Sequence, residues 1–264
     1  MRVFVEGVGL LGPGLAGWQA SRPVLAGSAA YVPAPTVLTA SDLLPPAERR
    51  RTGTPVKIAL AVGREAFAHA GRDAALTATV FTSSGGDGDN VHQICETLAV
   101  AELEVSPTRF HNSVHNAAAG YWGIASRSQE PSTSLCCYDA SFAAGLLEAA
   151  VQAAVDGIPV ALMAYDHPYP EPLHTVRHLG PAFGVALVIT PQATSASFAA
   201  LEVSLVPGAQ DPTAMADAAL DALRASVPAA RSLPLLSALA RGATQVVVLE
   251  YVAGNHLRVA VAPC

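Results

Sequence analysis

The chain has 264 residues, 51% of them apolar and only 14% charged, with 21 acidic against 15 basic side chains and a net charge of -6. That balance provides for an extensive core and argues against nucleic acid as a partner, because no basic cluster exceeds Arg49-Arg50-Arg51. No stretch reaches the roughly 18 uninterrupted apolar residues that a membrane span needs.

In chain order, Arg2 to Gly7 reads as a strand and Gly7 to Gly14 as a glycine-rich turn. Glu6 within this apolar opening suits a buried strand better than a secretory signal. Residues 28–56, with five prolines, read mostly as loop. Helical periodicity over 55–71 ends at Gly71, a C-cap residue. A strand over 75–84 stops at Gly85-Gly86-Asp87-Gly88-Asp89, and helices are expected over 90–103 and 112–127. A strand at 132–137 leads into a helix over 139–156. Its polar residues Glu148, Gln152 and Asp156 form one thin stripe on an apolar body, which places this helix inside a domain. Strands follow at 158–164, 182–190 and 197–206. Residues 212–241 read as helical, and strands 244–251 and 256–262 as a hairpin around Ala253-Gly254-Asn255. Strands alternating with helices give an α/β fold, a sheet covered on both faces.

The four cysteines lack zinc or disulfide spacing, so reduced thiols in a cytoplasmic protein are expected. Cys136 and Cys137, adjacent in a strand, point to opposite faces and read as buried, inert thiols. His111 and His115, and His174 and His178, are each four apart, but neither pair fits a metal motif, and all four read as polar loop or cap residues. The run SSGGDGDN (83–90) is not followed by the Lys or Ser/Thr of a phosphate cradle and reads as a turn. No metal and no cofactor are expected.

Five segments in order resemble the β-ketoacyl synthases of the thiolase fold: VFVEGVGLLGPGLAGWQASRPVLAG, RRRTGTPVKIALAVGREAFAHAG, VFTSSGGDG, SPTRFHNSVHNAAAGYWGIAS and EPSTSLCCYDASFAAGLLEAA. The resemblance implies a mixed central sheet covered by helices, a half-length thiolase-like domain over 1–206, and an α+β extension over 207–264 packed on the same core. The last segment parallels the elbow that carries the synthase cysteine at a helix N-terminus. Aligning Pro131, Ser132 and Ser134 places that position at Asp139, with Cys137 two residues early. Synthases also use two histidines from a second half of the fold, and only His256 remains here beyond residue 206. Asp139 is therefore expected to cap the helix rather than to react.

The resemblance implies the role of the family's degenerate chain-length factors in polyketide, aryl polyene or fatty-acid-like synthesis, most closely the half-length proteins of aryl polyene pathways. Such a subunit is non-catalytic, pairs with a cognate ketosynthase and shapes its acyl tunnel. The acyl carrier protein is a further partner, and a homodimer an alternative assembly. By the resemblance, strand 132–137, whose composition suits a central buried strand, pairs across a two-fold axis. Segment 108–121 reaches towards the tunnel, so Phe110, Val114, Tyr121, Cys137, Tyr138, Asp139 and Phe142 are the interface or tunnel candidates. The competing expectation is a stand-alone acyl-carrier decarboxylase, hydrolase or acyltransferase using Asp139 or Cys137.

Overall fold

The structure, a computed structural model, describes residues 1–39, 42–100, 104–208, 210–252 and 254–264. Nine strands form one sheet: β1 (Arg2–Gly12), β2 (Leu15–Ala16), β3 (Ala78–Thr82), β4 (Ser132–Leu135), β5 (Val160–Asp166), β6 (Phe183–Thr190), β7 (Ala199–Pro207), β8 (Gln245–Glu250) and β9 (Asn255–Pro263). Their order is β4-β3-β5-β6-β1-β7-β9-β8, with β2 paired to β1. β4, β3 and β5 run parallel, and the other pairings are antiparallel. The helices are α1 (Trp18–Ala26), α2 (Pro46–Arg49), α3 (Thr54–Ala70), α4 (Gly88–Leu98), α5 (Pro107–Asn112), α6 (Ala117–Ser126), α7 (Ser141–Val151), α8 (Leu173–Val176), α9 (Ala218–Ser226) and α10 (Leu233–Arg241).

Alternation along the central strands divides the core in two. Val160, Leu162 and Ala164 of β5 join Phe142 and Leu146 of α7 on one face, together with residues from α1 and α10. Ala161, Met163 and Tyr165 meet Ile58 and Val62 of α3 and Trp122 of α6 on the other. The sheet runs on through β7 into β9 and β8, so residues beyond 207 share the first core.

The opening strand is longer than its glycines suggest. Gly7 and Gly9 lie within β1, not in a turn, because α3 presses directly on them: a β-carbon would meet the Ala66 carbonyl oxygen at 2.1 Å and that of Val62 at 1.9 Å. A register shift between Val5 and Gly7 keeps Val3, Val5, Val8 and Leu10 on one face. The bulge also turns Glu6 to Arg72, which binds it through Nε at 2.5 Å and Nη2 at 3.1 Å. From α3, Glu65 accepts from the Leu10 and Trp18 amides at 2.8 and 2.5 Å, and so holds the start of α1.

Several expected elements divide or shift. Of the expected helix 112–127, α6 forms over 117–126; His111 lies in the preceding α5 and His115 in the break between the two helices. Helix 139–156 becomes a 3₁₀ turn, α7 and a π turn ending at Gly157, whose φ is 71°. Residues 212–241 hold two helices, parted after Val227-Pro228 by a 3₁₀ turn over Ala229–Ser232. α1, with Pro23 inside it, has no counterpart in the sequence reading. The expected helix 90–103 is α4, and its last three residues lie outside the described ones, as does Ala253 of the expected hairpin turn.

Candidate functional site

β4 is an edge strand, bonded only to β3 among the described residues and half-exposed, so within this chain it is not a buried central strand. It ends in a sharp elbow. Tyr138 takes a left-handed φ of 52°, a conformation costing a non-glycine residue roughly 1–2 kcal/mol. The Ser141 hydroxyl staples the bend: it accepts from the Cys137 amide at 3.0 Å and donates to the Tyr138 carbonyl at 2.7 Å. Gln152, from the polar stripe, donates to Thr133 at 2.9 Å and to Glu148 at 2.8 Å, tying the far end of the α7 segment to β4.

Asp139 does not cap α7. Among the described residues its carboxylate accepts only from two arginines, Arg177 Nη2 on Oδ1 at 3.0 Å and Arg231 Nη2 on Oδ2 at 3.2 Å. Ser141 performs the local backbone bonding that the aspartate was expected to supply, which frees the carboxylate for the charges. Arg177 also donates to the Ser84 hydroxyl and lies on the Tyr138 ring, while Arg231 also binds Glu250. Both guanidinium side chains are largely buried, at 14% and 19% exposure, against 43% for Asp139. A chain of hydrogen bonds and ion pairs therefore runs from Ser84 in the turn after β3, through the elbow, to β8. Two cations meet two carboxylates, so the network is neutral.

This network floors a cavity of about 500 Å³ lined by Cys137, Tyr138, Asp139, Arg231, Tyr251 and His256 among others. His256 bonds the Gly208 carbonyl through Nδ1 at 3.1 Å. The thiols are not buried as expected: Cys136 is exposed and Cys137 half-exposed, because the strand ends at Leu135 and alternation ends with it. Cys136 Sγ donates to the Ser84 carbonyl at 3.1 Å. Partial burial, with Asp166 nearby, pushes the Cys136 thiol up, and burial does the same to Cys137. Neither is an activated thiolate. Below them Asp166 is buried, accepting from the Ser84 and Ala229 amides at 2.7 and 2.8 Å and from the Ser83 hydroxyl at 3.2 Å. Burial raises its carboxyl to about 7 despite those bonds.

The remaining candidates separate by exposure. Phe110, Val114 and Tyr138 stand out from the surface, at 68%, 50% and 62% exposure, whereas Tyr121 and Phe142 are core side chains in the two opposite clusters. Tyr121 donates to Asn112 Oδ1 at 3.0 Å. Beside β4 a groove of about 580 Å³ is lined by His115, Ala119, Gly120, Gly123, Ser132 and Ser134 among others. His115 Nε2 bonds the Leu135 carbonyl at 2.9 Å. Arg177, Arg231 and Glu250 were not singled out in the sequence, and Ser84 only as part of a turn. They come from four segments, and no local spacing connects them. Among the described residues one trio has metal-ligand types close together, Asp87, Asp89 and His167.

The family described as "Beta-ketoacyl synthase, N-terminal domain" matches residues 18–250. Compared with curated proteins, the chain matches none. Among solved structures, a chain of the ketosynthase (ApeO) in complex with its chain length factor (ApeC) from Xenorhabdus doucetiae superposes with a TM-score of 0.75 at 20% identity, covering 98% of this chain and 99% of that one. A chain of the ishigamide ketosynthase/chain length factor gives 0.74 at 16% identity, over 100% and 99%. A β-ketoacyl synthase from Burkholderia phymatum gives 0.63 at 12% identity, with 91% of this chain covering 70% of that one. The shared fold is thus the thiolase-like one, a mixed sheet covered by helices.

Proposed function

This chain belongs to the β-ketoacyl synthase N-terminal domain family, and we propose that it serves there as a non-catalytic, chain-length-factor-like subunit that pairs with an active ketosynthase and shapes its acyl tunnel. The observation that carries the reading is Asp139. Carbon–carbon bond formation needs a nucleophile that can take an acyl group and donors for the developing oxyanion. At the elbow there is instead a carboxylate with both oxygens engaged by guanidinium groups. A carboxylate whose two oxygens are both held by guanidinium groups is badly placed to attack an acyl group, which also disfavours the stand-alone decarboxylase, hydrolase or acyltransferase.

The extent of the structural matches supports the same reading. The chains matched in the two ketosynthase/chain length factor complexes are covered over 99% of their length, and the Burkholderia synthase over only 70%. So does the surface. β4 offers an open edge for strand pairing, next to a groove floored by Gly120 and Gly123, where little stands in a neighbour's way. Phe110, Val114 and Ile124 expose apolar side chains on the adjoining segment. On this reading the exposed Phe110, Val114 and Tyr138 reach a partner's tunnel. Tyr121 and Phe142 act on it only through the elements they hold. The pathway belongs to polyketide, aryl polyene or fatty-acid-like synthesis in a cytoplasm, with an acyl carrier protein as the second partner.

Co-expression with a candidate ketosynthase tests this. The expected result is a soluble heterodimer that elongates an acyl chain, while the chain alone aggregates or self-associates. A stable monomer that ignores every ketosynthase offered overturns the proposal.

A further inference from the structure

We propose that Asp87, Asp89 and His167 form a binding site for one divalent first-row transition metal ion of the Zn²⁺ or Mn²⁺ class. The site arises from topology. β3 and β5 are neighbouring parallel strands, and the segments leaving their C-terminal ends lie side by side. One presents Asp87 and Asp89 at the start of α4; the other presents His167 directly after β5. One ligand atom from each of the three lies within 4.8 Å of the others.

His167 separates this trio from an ordinary acidic turn. The residue is only 4% exposed, and among the described residues neither ring nitrogen makes a hydrogen bond. Its Nε2 is wholly enclosed without a partner among the described residues, which leaves Nδ1 as the nitrogen open to a ligand. Nδ1 faces Asp89 Oδ2 at 4.0 Å. That is too long for a hydrogen bond. Two donors on one tetrahedral ion with bonds of ~2.0–2.1 Å stand about 3.3 Å apart, so a shift of well under 1 Å brings both into coordination.

The surroundings fit ligands held in place. Asp87 Oδ1 accepts from the Asn90 amide at 3.1 Å, which orients the carboxylate and leaves its other oxygen unbonded among the described residues. That other oxygen packs on Gly53, where a β-carbon would come within 2.1 Å of it. Asp89 is half exposed and supplies the way in from solvent, with water completing the coordination. Two carboxylate oxygens with one imidazole favour a transition metal over Mg²⁺ or Ca²⁺, which prefer all-oxygen sites. The ion would clasp the turn after β3 to the segment after β5. Ser84, which accepts from Arg177, lies in that turn, so metal would stiffen the ground beneath the Asp139 network.

The proposal stands apart from the subunit role and is tested separately. Protein stripped with EDTA, alone or in its complex, is titrated with Zn²⁺, Mn²⁺ and Mg²⁺ by calorimetry. A His174→Ala/His178→Ala background removes the neighbouring histidine pair, whose rings contact at 2.9 Å. One equivalent of Zn²⁺ or Mn²⁺ should bind, Mg²⁺ much more weakly, and Tm should rise by roughly 5–10 °C at a hundredfold excess over Kd. Asp89→Asn, at a half-exposed position that leaves the fold intact by circular dichroism, should weaken binding at least tenfold, and His167→Gln likewise. The absence of saturable binding, or unchanged affinity in the Asp89→Asn variant, overturns the proposal.

Discussion

Arg177 lies on Tyr138, its guanidinium carbon 3.3 Å from the ring centroid, and from there reaches Asp139 at 3.0 Å. The left-handed residue of the elbow thus also seats one of the two cations that hold the next side chain. With Arg231 on the other oxygen, removal of the carboxylate leaves two largely buried guanidinium groups facing each other. Asp139→Ala should therefore cost about 1–2 kcal/mol in urea unfolding, a value kept small by the solvent that reaches the carboxylate. Asp139→Asn should recover part of it. If Asp139→Ala is as stable as wild type, the two ion pairs contribute nothing.

Glu6 gives a pH dependence with a definite sign. Burial pushes its carboxyl up, but hydrogen bonds and charge from Arg72, with the Thr194 hydroxyl, outweigh this and hold it below 4.5. A group with a lowered folded pKa binds fewer protons in the native state. Its contribution is complete above the unfolded value and is lost as pH falls through the folded one. Glu6→Gln should destabilise by about 3 kcal/mol at pH 7, since Arg72 then loses its buried partner. The gap should shrink below pH 4.5, as followed by denaturant melts across the acid range.

The contact between β1 and α3 leaves no space for a side chain. Gly9→Ala places a methyl group against the Val62 carbonyl, where only backbone movement can relieve it. A loss above 3 kcal/mol, or failure to accumulate folded protein, is expected. Gly27→Ala is the contrast. It meets no atom within 4 Å and pays only for its φ of 81°, about 1 kcal/mol.

The Thr79 amide donates to the Pro131 carbonyl, so residue 131 faces β3 and, by alternation, the backbone groups of Ser132 and Ser134 face the open edge. Ser134→Pro should therefore spare the β3 ladder and the circular dichroism spectrum, yet abolish co-purification with a ketosynthase. Retained pairing would move the interface away from β4.

The strong periodic elements were readable from the residues alone: α3 with Gly71 at its end, the buried β5 and β6, and the closing β8–β9 hairpin. Position within the sheet was not. The run at 132–137 looks like an interior strand, and only the pairing order reveals it as an edge. The glycines of β1 mimic a turn because the reason for them, the backbone of α3, lies more than 50 residues away. The elbow could be located from its resemblance, but the chemistry at Asp139 depends on arginines 38 and 92 residues distant, and His167 meets Asp89 across two parallel strands. Local patterns do not encode such separations.

The most direct measurement incubates the purified chain with malonyl- and acyl-carrier proteins and follows protein mass and product. An unmodified mass, no elongated product from the chain alone, and elongation once the ketosynthase is added are predicted. A covalent acyl adduct on this chain, with extension of that acyl group in the absence of any partner, would contradict the account.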